Sequence, residues 1–308
     1  MSPNSLKSWF VFNAASAKVA KKGALLPKIA QQHDAILRDV GDFSDVDKLV
    51  EEALAANANH VVIEGGDGTV QGILTEFLRH EKTKNLPIFT LVPGGNTNQV
   101  ARNIGLKAAT PQAVAKALSQ DHSIAQAPLL RIKDKTGRKY YGFLFSSGAL
   151  PQVTDYTRDK LHDRGVGGSM AVIGGILKGV SGDDAIMQPT KVKLNIDADG
   201  PHKLRGPHLG TIVTTLPGLM LGLDPFWGDG NRPLRVTYVA AEYQHLMRHV
   251  ASLWLGNKTK NRSQDGMYSW TANSLKYRYK GPCVLDGELL DLTKGFKIRA
   301  TQPIRFAT

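Results

Sequence analysis

The 308-residue chain is poor in cysteine, in long apolar runs and in carboxylates relative to its basic groups. Because Cys283 is the only cysteine, an internal disulfide and a cysteine-based zinc cluster are excluded. No run of about 18 apolar residues occurs, so we expect no helix that spans a bilayer. The apolar burst at 9–12 is too short for the hydrophobic region of a signal peptide. We therefore expect a cytoplasmic protein whose membrane contact is peripheral.

The shortage of carboxylates leaves a formal net charge of +12, from 39 lysines and arginines against 27 aspartates and glutamates. This excess favours an anionic partner, which could be nucleic acid, nucleotide phosphates or an acidic membrane surface. Basic residues crowd one stretch in which Asp265 is the only acid, namely at Lys258, Lys260, Arg262, Lys276, Arg278 and Lys280. The stretch is either a solvated loop and strand face or a contact surface for anionic lipid headgroups.

Patterns typical of strands and helices alternate over the first third of the chain. A buried-strand pattern at 61–63 runs into a helical pattern at 69–78, and Thr110-Pro111 is typical of a helix start. Such alternation predicts a parallel sheet covered on both faces. From about residue 125 short β-rich runs dominate, with helical patterns around 155–180 and 242–255, which predicts an antiparallel sheet or sandwich.

The most informative motif is Val61–Val70, in which a buried strand leads into Gly65-Gly66 and then into a helix. Glycines let the backbone approach an anion, and the N-terminus of the helix offers free N–H groups, so the motif predicts a phosphate site. Asp67 cannot itself hold phosphate, because like charges repel. It implies Mg²⁺, bound directly or through water, or a general base. The alternative is that the glycines only close a tight strand–helix turn.

Two better-known phosphate loops are excluded. The chain contains no G-x-x-x-x-G-K-[ST], and the glycines at 66, 68 and 72 are spaced one residue too widely for the dinucleotide fingerprint.

Four segments resemble, in the same order, the motifs of one family. Gly65–Thr69 resembles the GGDGT signature of the diacylglycerol kinase catalytic domain and of its relatives, the sphingosine and NAD kinases. Pro93–Arg102 is similar to the family's P-x-G-T-x-N-D-x-A-R, and Leu285–Glu288 contains the D-G-E of its lipid kinases. Phe12–Ser16 is similar to the opening N-P-x-S-G. Taken alone, Asp-Gly-Glu is typical of a hairpin turn; its order with the other motifs favours the family.

The resemblance implies an α/β fold with two domains. An NAD kinase-like nucleotide-binding domain with a parallel-type sheet would comprise 1–125 and be joined by 290–308. An antiparallel β-sandwich domain would comprise 126–289 and contribute the D-G-E motif. The C-terminus would thus return to the first domain, and the active site would lie between the two domains.

The resemblance also implies ATP and Mg²⁺ as cofactors and assigns roles to single residues. Asp286 is the preferred general base on the acceptor hydroxyl, because a hydroxyl is a poor nucleophile without one. Glu288 and Asp67 complete the expected catalytic group. The expected nucleotide-binding residues are Asn13, Ser16, Gly65, Gly66, Asp67, Gly68, Thr69, Val70, Gly95, Asn96 and Asn98.

The chain departs from the family pattern at polar and small positions. Ala14 and Ala17 replace the opening Pro and Gly, Asn96 and Gln99 replace a Thr and an Asp of the second motif, and Gln71 replaces an Asn. These changes indicate a diverged branch of the family.

A metal is expected at two positions. Asp229-Gly230 is similar to a family feature that holds a structural divalent ion, although Arg235 stands where a further acid is expected. Asp67 would contact Mg²⁺ through water.

The combined hypothesis is an ATP-dependent kinase of diacylglycerol or a similar long-chain lipid alcohol, giving a phospholipid such as phosphatidic acid. It would work from the cytoplasm at the inner membrane face, with a nucleotide and a lipid substrate at an anionic surface as partners. Nucleic acid is not expected as a partner, and the hypothesis allows a homodimer. Two alternatives stay open: a catalytically weak nucleotide- or lipid-binding regulator, and an NAD kinase-like enzyme with a soluble acceptor.

Overall fold

The structure is a computed structural model. It describes residues 7–41, 43–81, 83–119, 121–149, 188–219, 224–245, 248–249, 252, 262–292 and 295–308. The chain divides into two compact units, Met1–Leu129 with Gln302–Thr308, and Leu130–Thr301. The helical pattern predicted at 155–180 lies outside the described residues, and so does half of the stretch predicted as helical at 242–255.

The first unit alternates strands and helices, as the sequence pattern predicts. Its strands are β1 (Ser8–Phe12), β2 (Ile36–Asp39), β3 (His60–Gly65), β4 (Ile88–Pro93), β5 (Ile124–Ala127) and β17 (Ile304–Ala307). Its helices are α1 (Ala17–Lys22), α2 (Leu26–Ile29), α3 (Val46–Ala55), α4 (Asp67–His80), α5 (Gln99–Ile104) and α6 (Pro111–Leu118). Short 3-10 turns occupy Ala30–His33, Phe43–Asp45 and Thr83–Asn85.

The sheet of the first unit has the strand order β2-β1-β3-β4-β17-β5. All of its pairs are parallel except that between β17 and β5. Every residue of β3 is buried, because it lies at the centre of a sheet with helices on its faces. The carboxyl ends of β3 and β4 consequently lie side by side, with Gly65 opposite Pro93. This edge brings the two glycine-containing motifs together.

Two local predictions about helix starts have different outcomes. Thr110 Oγ1 accepts a hydrogen bond from the N–H of Ala113 at 3.2 Å, which confirms it as the N-cap of α6. Ser44 with Asp47 three residues later predicts an acidic variant of a capping box. This prediction is wrong, because α3 begins at Val46 with Asp45 as N-cap and without a side-chain capping bond.

The second unit is a curled antiparallel sheet, which confirms the predicted change of fold class along the chain. Its strands are β6 (Leu130–Asp134), β7 (Lys139–Gly142), β8 (Leu144–Gly148), β9 (Thr190–Ala198), β10 (Gly200–Thr214), β11 (Leu234–Ala240), β12 (Met267–Ala272), β13 (Ser274–Tyr279), β14 (Cys283–Leu285), β15 (Glu288–Leu289) and β16 (Gly295–Ala300). The order is β15-β14-β8-β10-β9-β13-β16-β6-β7, with β11 between β10 and β12.

One face of this sheet forms the core of the second unit. In β9 the side chains of Val192, Leu194 and Ile196 are buried, and the residues between them are exposed. Phe145 and Phe296 join the same core, with ring centroids 5.8 Å apart. The outward residues of these strands therefore form a separate surface.

The C-terminal return differs in its bounds from the sequence prediction of 290–308. Ile304–Ala307 joins the first sheet next to β4. Gly295–Ala300 instead pairs with β13 and β6 and belongs to the second unit. The physical reason is the alternation of Phe296 and Ile298 with polar residues, which fits the one-sided core of the antiparallel sheet. In the described part of the chain no helix has the length and apolar character needed to cross a membrane.

Candidate active site

The candidate site is built on the turn from β3 into α4. Gly66 is the N-cap of α4 and provides no side-chain acceptor, so the first N–H groups of the helix depend on other partners. Gly68 in the first turn is exposed, and a Cβ placed there would meet no described atom within 4 Å. The helix N-terminus therefore has an open approach of the kind an anionic group requires.

The opening segment of the chain packs directly against this turn. Ser16 Oγ accepts a hydrogen bond from the N–H of Gly66 at 3.2 Å. Asn13 Nδ2 donates to Thr69 Oγ1 at 2.9 Å, and Ser16 Oγ lies 3.4 Å from the same hydroxyl. All three side chains are buried. Asn13, Ser16 and Thr69, predicted from two separate motifs, thus form one hydrogen-bonded group.

The second motif approaches the first through its backbone. The N–H of Gly94 donates to the carbonyl of Gly65 at 2.9 Å. A Cβ at Gly95 would lie 2.6 Å from the Cα of Gly66, so only glycine allows this approach. Asn98 holds the loop by accepting from the N–H of Gly95 and donating to its carbonyl, both at 2.7 Å. It does so in the left-handed region, with φ 52°.

Asp67 connects the two motifs. Its Oδ2 accepts a hydrogen bond from the N–H of Gln99 and its Oδ1 one from the N–H of Val100, both at 2.9 Å. Burial raises the pKa of the Asp67 carboxyl, and the two N–H donors together with Arg102 oppose that rise. The observed role of the carboxylate is to cap α5. Its part as a base or as a water-mediated Mg²⁺ ligand stays a prediction.

Glu64 is a functional candidate that the sequence interpretation missed. Its side chain is buried, and its oxygens accept from the N–H groups of Leu25 and Leu26 at 2.8–2.9 Å. It thereby fixes the start of α2 beside the β3 end of the site. The available signal was a charged residue inside a buried strand, since buried carboxylates usually have dedicated donors.

Asp286 and Glu288 lie in the second unit, on the hairpin between β14 and β15. Asp286 and Gly287 have φ of 50° and 94°, the conformation of a two-residue hairpin turn, and Leu285 is opposite Glu288. The Asp286 carboxylate accepts from the N–H of Phe143 at 2.9 Å and of Leu144 at 2.7 Å. Glu288 is exposed. The motif is therefore a hairpin turn, and it also presents two carboxylates.

Three further residues predicted for the site are Val70, Asn96 and Asp229. Val70 is buried in α4, and Asn96 is exposed in the second loop. Asp229 is exposed, and its backbone carbonyl accepts from Thr271 Oγ1 at 2.9 Å.

Among the described residues, the group of three potential metal ligands is Asp47, Glu76 and His80. Asp229 is not part of it, and Arg235 forms an ion pair with Asp224. A structural ion at Asp229 stays a prediction.

Comparison with known sequences finds a family match in the first unit. Residues 7–128 match the family model described as "Diacylglycerol kinase catalytic domain". The matched segment contains Phe12–Ser16, Gly65–Thr69 and Pro93–Arg102, so the hydrogen-bonded group around Gly66 lies inside the part of the chain that is similar to this catalytic domain.

Curated relatives carry a related name. A "Probable lipid kinase YegS-like" protein of Pseudomonas syringae pv. syringae (strain B728a) is 31% identical over 140 residues, 46% of this chain and 43% of the relative. Another of that name, from Klebsiella pneumoniae (strain 342), is 28% identical over 168 residues, 51% of this chain and 52% of the relative. The chain thus spans about half the length of the curated relatives it matches.

The fold as a whole has solved counterparts. A crystal structure of a diacylglycerol kinase from Bacillus anthracis str. Sterne covers 98% of this chain and 96% of its own, with a TM-score of 0.64 and 14% identity. At that identity the likeness shows the fold alone, and the fold includes the antiparallel unit beyond the matched segment.

Proposed function

We propose that the protein is an ATP-dependent lipid kinase that transfers a phosphoryl group to the hydroxyl of diacylglycerol or a similar long-chain lipid alcohol. The product would be a phospholipid such as phosphatidic acid. The proposal rests on the match of residues 7–128 to the diacylglycerol kinase catalytic domain and on the names of the protein's relatives.

The main structural support for the proposal is the open turn at Gly68, which residues of three motifs hold in place. Ser16 and Asn13 fix the turn from one side, and the second loop contacts it through glycine backbones. A helix N-terminus at which a Cβ on Gly68 would meet no described atom within 4 Å fits ATP phosphates, because backbone N–H groups and the helix dipole both favour an anion. Mg²⁺, when bound with the nucleotide, would neutralise phosphate charge.

The residues of the first unit would bind and orient the nucleotide. The backbone N–H groups of the first turn of α4 would contact phosphate oxygens, and Asn13, Ser16 and Thr69 would keep that turn fixed. Asp67 would maintain the distance between α4 and α5 through its two backbone hydrogen bonds. Phosphoryl transfer depends mainly on such positioning and on electrostatic stabilisation.

Asp286 is the proposed base for the lipid hydroxyl. Its side chain has a defined orientation, because the N–H groups of Phe143 and Leu144 donate to its two carboxylate oxygens. Glu288 is exposed on the same hairpin and would assist nucleotide or Mg²⁺ binding. A lipid substrate would also account for the net positive charge of the protein, because the protein would work at the anionic cytoplasmic surface of a membrane.

The test is transfer of labelled γ-phosphate from ATP with Mg²⁺ to lipid alcohols in mixed micelles and, separately, to soluble acceptors including NAD. We expect label in the lipid phase with diacylglycerol or another long-chain alcohol. Asp286→Asn should lower transfer by about 10²–10⁴-fold, the usual contribution of a general base. It should leave nucleotide binding intact, because the nucleotide residues belong to the first unit.

Asp291→Asn is the matched control. It makes the same chemical change at an exposed residue that follows the hairpin. This variant should transfer like the wild type, and thermal unfolding should show that both variants fold. Nucleotide binding without transfer to any lipid would contradict the proposal and favour a regulator, and transfer to a soluble acceptor would favour an NAD kinase-like enzyme.

A further inference from the structure

The outward side of the antiparallel sheet carries a concentrated positive charge. An open depression of about 700 Å³ lies over β6, β9, β10, β13 and β16. Among the described residues, nine lysine and arginine side chains and one carboxylate line it. Eight of the nine basic residues lie on the five strands, and we call these eight the basic face.

Strand register places like charges directly opposite one another in the middle of the basic face. Lys297 of β16 lies opposite Lys276 of β13 on one side and Lys133 of β6 on the other. Directly opposed residues have Cβ atoms about 4.5–5.5 Å apart, and like charges at that spacing destabilise a sheet. The row therefore has an electrostatic cost in the isolated protein.

The rows on either side repeat the pattern. Lys193 of β9 lies opposite Arg205 of β10 and Arg278 of β13, and Arg299 of β16 lies opposite Arg131 of β6. The charge thus extends both along the strands and across them.

Acidic residues do little to relieve this repulsion. None of the eight basic residues named so far on this face forms an ion pair with a carboxylate of the described residues. Asp134 uses its Oδ1 to hold the β6–β7 turn, accepting from the N–H groups of Thr136 and Arg138. Burial, followed by Arg299, Lys276 and Arg131, lowers the pKa of Lys297, and only Asp197 opposes that effect.

The shape and composition of the face distinguish between anionic partners. Its aromatic lining residues, Tyr277 and Phe296, are buried in the core, so the described residues of the face offer no ring for stacking a nucleic acid base. The charge extends across five strands, which is roughly 20 Å at a spacing of about 4.8 Å between neighbouring strands. The charged area is therefore wider than the path of a single nucleic acid backbone. Such an area complements a layer of anionic headgroups, to which each nearby Lys or Arg contributes about 1 kcal/mol.

We propose that the basic face is the surface by which this protein docks on an anionic phospholipid membrane. The inference rests on the proposed function, because a lipid kinase has to reach a bilayer. It adds the surface that makes the contact. Anionic headgroups then neutralise the lysine and arginine charges that repel one another in the free protein.

The test measures co-sedimentation of the full chain with vesicles of phosphatidylcholine alone or mixed with equal phosphatidylglycerol. We expect binding to the mixed vesicles only, weakening as salt is raised. Lys297→Glu changes the face by two charge units and should weaken binding about 30-fold, at about 1 kcal/mol per charge and 1.4 kcal/mol per tenfold. Lys116→Glu, an equal charge change at an exposed residue of α6, is the matched control and should bind nearly as the wild type does.

Thermal unfolding provides a second readout that a purely structural role would not give. Lys297→Glu turns two like-charge pairs into opposite-charge pairs, so Tm should rise by about 2–4 °C while vesicle binding falls. Lys276→Glu should change both quantities in the same directions.

The outcomes separate this inference from the proposed kinase activity. Salt-sensitive binding to phosphatidylglycerol vesicles that Lys297→Glu weakens and Lys116→Glu does not would support it, whether or not phosphate transfer is found. Equal loss in both variants, or no preference for phosphatidylglycerol, would overturn it even if the enzyme phosphorylates lipid in micelles. Displacement from vesicles by single-stranded DNA at lower concentration than by phosphatidylglycerol would also overturn it, in favour of a nucleic acid surface.

Discussion

At the scale of single residues, the carboxylates of the motifs act first on the backbone. Asp67, Glu64 and Asp286 each accept hydrogen bonds from two backbone N–H groups. Each therefore joins segments that are distant along the chain. Loss of activity on replacing such a residue has a structural and a chemical component, so kinetic tests of these positions need unfolding data beside them.

His60 provides a pH-dependent test of the first unit. Burial, with a smaller contribution from His122, lowers the pKa of His60 to about 4, and its Nε2 lies 2.8 Å from Thr90 Oγ1. The unfolded value is 6.5, so the stabilisation is complete above pH 6.5 and is lost as pH falls from 6.5 to about 4. The loss expected from this group is about 3 kcal/mol.

The measurement is urea unfolding of the wild type and His60→Gln at a series of pH values across that interval. Glutamine keeps a polar partner for Thr90 but does not titrate, so its free energy of unfolding should fall less steeply. Parallel curves for the two proteins would contradict the assignment to His60.

At the scale of elements, two strand–helix turns meet through their glycines, and the two kinds of glycine should respond differently to substitution. Gly95→Ala places a Cβ against the backbone of Gly66, so it should destabilise the protein by about 1–3 kcal/mol. Gly68→Ala places a Cβ in open space within a helix, so it should leave stability unchanged or raise it by up to about 1 kcal/mol. Equal destabilisation of the two variants in urea unfolding would refute the observed contact between the loops.

The elements of the first unit were largely predictable because their signals are local. The apolar run at 61–63, its glycines and the helical spacing after it lie within one stretch of chain, and Thr110 caps the helix that follows it. The hydrogen bonds of Asp67 to α5 and of Asp286 to Phe143 and Leu144 were not predictable, since they depend on tertiary packing.

The dipeptide Asp286-Gly287 is typical of a hairpin turn, and the structure has a hairpin turn at this position. Whether the carboxylate is also the base is a question of chemistry, and transfer assays of Asp286→Asn address it.

At the scale of the whole molecule, the sequence predicts the fold class and the direction of the C-terminal return, but not which strands neighbour one another. Gly295–Ala300 was assigned to the return, because strand partners cannot be inferred from alternation alone. The basic stretch near Lys276 and Arg278 was visible, yet its extension to Lys133 and Lys297 arises only from register. Arg262 of the same stretch is instead buried, with its guanidinium 4.5 Å from the ring of Trp227.

The central claim is that the open turn at Gly68 binds the phosphates of ATP for transfer to a lipid. The most direct measurement is lipid-phase label from γ-labelled ATP with diacylglycerol micelles and Mg²⁺, for the wild type and Gly68→Ala in parallel with thermal unfolding. We predict transfer by the wild type, and at least a tenfold loss in a Gly68→Ala protein that is no less stable. Wild-type transfer by Gly68→Ala, or no labelled lipid from the wild type with any long-chain alcohol, would contradict the account.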